Sequence, residues 1–221
     1  MRWARVAWVI ALAAASCTSE DPSPPAAPPG PPPVEAPVEA RVEPPTTTIV
    51  APAPAAVPVH YRVEVRADGV ADFPAVVDAT LGDPRGWARA GFALERRHDG
   101  PYLVVVAEGP EVDALCHPYD TGGRFSCQLG PVVAINADRW RTATPQWTGD
   151  LATYRQMLVN HEVGHLLGQK HRRCPGSGPA PVMEQQSTNL GACRPNPWPL
   201  DDEIERAARH DLPLAPPYER D

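Results

Sequence analysis

Eleven residues, His161-Glu162-Val163-Gly164-His165-Leu166-Leu167-Gly168-Gln169-Lys170-His171, constrain this chain more than any other stretch. Their side chains act together only if the backbone is first a helix and then a sharp bend. A helix turns about 100° per residue, so His161 and His165 share one face, about 5–6 Å apart. Two imidazoles at that spacing can reach one ion. Glu162 lies one step round the cylinder, outside the ion's inner shell but within reach of a water on it, and is read as the catalytic base. Gly168 is the residue type that tolerates positive φ and commonly ends a helix. A bend there would return His171 as a third ligand. Three neutral imidazoles leave a fourth tetrahedral position open, which distinguishes a catalytic zinc site from a structural one. One Zn²⁺ is therefore expected on His161, His165 and His171. The simpler reading, an amphipathic helix with unrelated histidines, must place three of the chain's seven His, a Glu and a Gly in this order by chance.

Around this stretch the hydrophobic pattern predicts a central helix from Asp150, a good N-cap, to Leu167. Leu151, Tyr154, Met157, Leu158, Val159, Val163, Leu166 and Leu167 make it apolar most of the way round, so it should be buried. Upstream, Tyr61 to Arg66 alternates apolar and charged residues, as a strand with one wet face does. Phe73, Val76, Val77, Thr80 and Leu81 recur at helical spacing, with Asp72 as cap and Gly82 as stop. Phe92 to Arg96 reads as a strand, and Tyr102 to Ala107 as a strand buried on both faces. Arg124 to Gln128 and Val132 to Asn136 flank Leu129-Gly130-Pro131, which signals a hairpin or an irregular edge. Beyond His171 the next regular element is a helix from Asp202 to His210, where Glu205 allows a capping box with Asp202. The fold class is therefore α/β, with a twisted mixed sheet packed on the buried helix and a loop-rich C-terminal part.

The domain organisation follows from composition. Residues 1–16 carry Arg2 and Arg5 ahead of an apolar run from Val6 to Ala15, the layout of a secretory signal peptide and too short for a membrane span. Residues 17–58 hold 14 of the 30 prolines and few large apolar residues, which predicts a disordered, partly polyproline tether. Fully extended it would span on the order of 120 Å. Residues 59–214 have room for one domain with its own core, and 215–221 form a tail. A formal charge of −7 leaves no basic footprint for nucleic acid.

Five cysteines in an exported chain leave one over if the others pair. The odd one is Cys17. It follows Ala14-Ala15-Ser16, which resembles a bacterial lipobox with Ala14 where that box usually has Leu. Lipid attachment at Cys17 would make a membrane-anchored lipoprotein; ordinary cleavage after Ala13-Ala14-Ala15 would give a secreted one. The other four allow three pairings, of which Cys116–Cys127 and Cys174–Cys193 are favoured because each closes a local loop. A metal site built from them is disfavoured, since none forms a close C-x₂₋₄-C pair.

The HExxHxxGxxH stretch resembles the signature of the metzincin clan of zinc metallopeptidases, in which it is followed by a Met-turn. Pro179 to Gln186 is the candidate turn, and the resemblance places Met183 beneath the zinc as an apolar floor. Some metzincins carry a further Tyr ligand two residues beyond the Met; here that position is Gln185, and no fifth ligand is expected. The blocks Asp83-Pro84-Arg85-Gly86-Trp87, Asp120-Thr121-Gly122-Gly123, Val159 to His165, Cys174-Pro175-Gly176 and Arg194-Pro195-Asn196-Pro197-Trp198-Pro199 are similar to a bacterial family of exported, metzincin-like proteins called domain of unknown function 3152. That resemblance implies a zincin-like fold and metalloendopeptidase activity without supplying a substrate; a peptide or protein substrate and a monomeric chain are expected.

Metal-assisted amide hydrolysis with Glu162 as base is thus the expected chemistry. By the same resemblance, an extended peptide would pair with an edge strand, for which Val132 to Asn136 is the candidate, unless it lies inside the sheet. His117, Tyr119 and His210 are weaker candidates for an oxyanion contact. Two other readings share these residues: a surface binding module that keeps the metal but not the chemistry, and an amide hydrolase acting on cell-wall peptides. The binding module would leave Glu162 without a purpose.

Overall fold

In the computed structural model, residues 56–208 and Gly30 are described. The leader, Cys17, almost all of the tether, His210 and the 215–221 tail lie outside the described residues. The sheet has five strands, β1 (Val57–Val65), β2 (Phe92–Arg96), β3 (Tyr102–Ala107), β4 (Cys127–Leu129) and β5 (Val132–Asn136), in the order β2-β1-β3-β5-β4. The first four in that order run parallel; β4 is antiparallel to β5. Among the described residues no helix is long and apolar enough to cross a membrane.

The residue pattern of β3 explains the layering. All six of its residues are buried, because it lies inside a mainly parallel sheet whose two faces are both covered by helices. Val104 and Val106 join one apolar cluster with α1 (Phe73–Leu81) and α4 (Leu151–Leu166). Leu103, Val105 and Ala107 join a second with Val112 of α2 (Gly109–Leu115). Fully burying one such side chain contributes about 1.5–3 kcal/mol, so this short strand anchors both layers.

Several expectations are corrected by partners far away in sequence. Strand β1 starts at Val57, two residues before the expected start of the domain, because Val57 pairs with Phe92 and donates its N–H to the Gly91 carbonyl. Pro58 fits where β1 still has a neighbour on one side only, since its pairing with β3 begins at Tyr61. Asp72 precedes α1 but does not cap it with its side chain. Its carboxylate is taken by Trp140 Nε1 at 3.0 Å and Arg155 Nη1 at 2.7 Å. The hairpin signal marks a real turn at Gly130, yet the first arm, expected over Arg124 to Gln128, is strand only over Cys127–Leu129. The edge assignment of Val132 to Asn136 fails: all five are buried between β3 and β4. Glycine at 130, with φ 54°, permits the tight reversal that puts β4 outermost instead.

Three short elements carried no sequence signal: α2, α3 (Ala137–Thr142) and a 3-10 turn at Trp87–Ala90. The last described helix, α5, runs Asp201–Ala207, and Glu203, not Glu205, closes back on its first turn by accepting the Leu200 N–H at 2.9 Å. Cys116 and Cys127 stand at disulfide distance, with Cα atoms 6.3 Å apart, as do Cys174 and Cys193 at 5.8 Å.

Candidate metal centre

Helix α4 is set by its ends and by burial. Asp150 Oδ1 accepts the Thr153 N–H at 2.7 Å and caps the start. Residues 157 to 164 are then buried without a break, so the helix is walled on every side and its rotamers are held by packing. At the far end Gly168 takes φ 83°, and the Gln169 N–H reaches back to the Gly164 carbonyl at 2.9 Å. The chain leaves the helix there and brings His171 across to the other two histidines.

His161, His165 and His171 lie together, with one ligand atom from each within 4.8 Å of the others. His161 Nδ1 is 2.8 Å from the Val182 carbonyl and His165 Nδ1 is 2.8 Å from the Gln169 carbonyl. A carbonyl can only accept, so both Nδ1 atoms carry the proton and both Nε2 atoms present lone pairs. His165 Nε2 and His171 Nε2 are 3.1 Å apart, a separation that calls for a cation or a shared proton between them. Burial lowers the His161 pKa to about 3 and that of His165 to about 4, and lowers that of His171 as well, so all three rings stay neutral near pH 7. Three neutral imidazoles, two of them with committed Nδ1 atoms, are a suitable donor set for zinc.

Glu162 is buried beside them, and no described residue hydrogen-bonds to its carboxylate; burial pushes its pKa up to about 8. Without a metal this carboxyl is therefore mostly protonated at pH 7, and a cation bound at the histidines would favour its ionised form. The site opens into a cleft of about 490 Å³ whose lining includes Tyr119, Gln128, Arg139, Met157, Gln186 and Ser187. Tyr119 is therefore at the cleft. His117 is exposed and absent from the lining, and edge strand β4 contributes Cys127 and Gln128.

Beneath α4, Met183 is completely buried. A Cβ added to Gly164 would collide with Met183 Sδ and Trp87 Cζ2, so only glycine allows the 181–183 loop and the 3-10 turn to close on the helix. What holds this loop is a residue that sequence reasoning passed over. Glu203, almost wholly buried, accepts the N–H groups of Val182, Met183 and Leu200, each at 2.9 Å. Burial raises its pKa while those three donors pull it down, with burial the larger influence. Since the Val182 carbonyl receives His161 Nδ1–H, the Glu203 carboxylate orients a candidate ligand through one peptide unit. The available signal was periodicity: Leu200, Glu203, Ile204 and Ala207 form one helical face, with Glu203 in an apolar slot.

Asn160 was also missed. Its carbonyl accepts Trp87 Nε1 at 2.9 Å and its Nδ2 donates to the Pro197 carbonyl at 2.8 Å. Arg85 stacks over Trp198 at 4.3 Å, so the Asp83–Trp87 and Arg194–Pro199 blocks meet behind the residue that precedes His161. Just past the end of α3, Ala143 takes a φ of 60°, which is costly for a residue with a Cβ, by about 1–3 kcal/mol.

A family described as "Protein of unknown function (DUF3152)" matches residues 55–193, more than half of the chain. The chain belongs to that family. The DUF3152 match takes in the three histidines, Glu162, Met183 and both cysteine pairs, and ends before Glu203. No curated protein matches the chain.

Proposed function

We propose that this chain is an exported zinc metallopeptidase that hydrolyses peptide bonds with Glu162 as general base. The observation that carries the reading is the convergence of a buried carboxylate and three neutral imidazoles in one open cleft. His161 and His165 would hold the ion through Nε2, their Nδ1 atoms being bound to the Val182 and Gln169 carbonyls, and His171 would be the third ligand. A zinc ion held there supplies positive charge that acidifies a water and polarises a carbonyl. Glu162 takes the proton of the attacking water and hands it to the leaving amine. A resident metal with a purely structural role would need no such carboxylate. This favours an enzyme over a binding module.

On this reading the chain is metzincin-like and its fold zincin-like, with the Pro179–Gln186 loop as the Met-turn and Met183 as the apolar floor. The peptide would lie along β4, whose outer edge carries no described partner strand, in a β-addition mode. Two cysteine pairs at disulfide distance favour an oxidising compartment, in keeping with export and with lipid attachment at Cys17.

The test is digestion of a mixed peptide library by the zinc-loaded chain, read by mass spectrometry. New termini that vanish with a chelator and return with zinc are expected. A chain holding one zinc that leaves the library and a cell-wall peptide set intact contradicts the proposal.

A further inference from the structure

Arg139 differs from the other residues of the cleft. It lies on α3 and lines both the space containing His161 and Glu162 and an adjoining depression with Arg124 and Phe125. Its Nη1 donates to the Ala143 carbonyl at 2.8 Å, whereas Nε is buried with no hydrogen-bond partner. No ion pair joins it to a described carboxylate, although Arg66, Arg141, Arg155 and Arg172 each close on one. Taking a guanidinium donor out of water is costly unless an acceptor meets it. Among the cleft's acids, Glu162 is the proposed base, and exposed Asp120 accepts the Gly122 N–H at 2.7 Å.

Ala143 adds an independent observation. It is the one non-glycine among the described residues with positive φ, and its carbonyl is the group that fixes Arg139. Strain of this kind persists where the surrounding structure needs a particular group held in place. Here it holds one terminal nitrogen of the guanidinium and leaves the other, Nη2, for a ligand. Arginine's planar fork matches a carboxylate better than any other common anionic group of a peptide.

We propose that Arg139 determines specificity by binding a carboxylate of the substrate, either an Asp or Glu side chain near the scissile bond or the free terminal carboxylate of a short peptide. The inference rests on the peptidase reading and deepens it. The carboxylate would accept from Nη2, the terminal nitrogen that the Ala143 carbonyl does not engage, while Nε stays behind it, closed off from solvent and without a partner.

The test uses the full zinc-loaded chain and acetylated, amidated hexapeptide pools that carry one Glu or one Gln at each position. The Gln pools are repeated with a free terminal carboxylate. Equilibrium binding is measured on Glu162→Ala and cleavage on the wild type, so that recognition and chemistry are read separately. At one position Glu should exceed Gln by about 10- to 100-fold in affinity (a lower Kd) and in kcat/KM, the range for hydrogen bonds to a charged group. The ratio should fall towards one with Arg139→Gln and to an intermediate value with Arg139→Lys, with folding checked by circular dichroism. If Arg139→Gln does not fold, the Lys variant and the unaltered Arg139 decide. Preference for the free-carboxylate pools alone would identify the ligand as a chain terminus. Equal binding of all pools with Arg139 intact, or a preference undiminished in its folded variants, overturns the inference. An acid preference in binding without any cleavage would instead sink the peptidase reading and leave the carboxylate site standing.

Discussion

At the scale of single residues, the centre depends on carboxylates and imidazoles kept where water would not put them. In the metal-free protein Glu162 has a folded pKa of about 8, raised by burial. A raised pKa gives stability that is full below the unfolded value, near 4.5, and lost as the pH rises through the folded one. His161 and His165 act in the opposite sense: their depressed values give stability present above about 6.5 and lost as the pH falls through about 4 and then 3. Glu162→Gln removes only the first effect. The Tm of the metal-free variant should therefore gain on that of the wild type as the pH goes from 5 to 8.5; a constant difference would contradict the assignment. Glu203 makes a separate prediction. Glu203→Ala leaves three backbone N–H groups without their acceptor, so it should cost about 3 kcal/mol of stability and about tenfold in zinc affinity. Calorimetry and competitive zinc titration check both, and unchanged zinc affinity would show that the Val182 peptide is held without it. The histidines and Glu162 were legible because their chemistry is local to one helix and one bend. Glu203 was not, because a buried acid among Asp201, Asp202 and Glu205 looks like the solvated start of a helix.

At the scale of elements, α4 was readable from its apolar run and its Asp150 cap, while its surroundings were not. At Gly164 the helix leaves no room for a Cβ beside Met183 and Trp87. Replacing a helical glycine by alanine ordinarily stabilises by about 1 kcal/mol. Gly164→Ala should do the reverse, by about 1–3 kcal/mol, since the new methyl has to displace Met183 or Trp87. Thermal unfolding decides it, and a variant more stable than wild type would mean that the loop has room to move. The strands β2, β3 and β5 were legible at their observed bounds, and α1 in its span though not in its cap. Elements as short as α2, α3 and the 3-10 turn escape because four to seven residues cannot display a period; they exist through what they pack against.

For the whole molecule, the order of strands decided what the site became. Local pattern could identify Val132 to Asn136 as a strand but not its neighbours, and those depend on pairings with β3 that cross some 30 residues of chain. Once β5 lies inside, β4 becomes the outer strand and lines the cleft with α4 and residues 185–188. Neither could the sequence tell that the Asp83–Trp87 and Arg194–Pro199 blocks would meet behind Asn160, because that contact exists only in the assembled fold. The central claim is that this assembly does chemistry with Glu162. The most direct measurement compares peptide cleavage by wild type and Glu162→Ala at equal zinc content. One zinc in each, with the variant's kcat/KM lower by about 10²- to 10⁴-fold, is the predicted result. Equal cleavage by the two proteins at matched zinc would contradict the account.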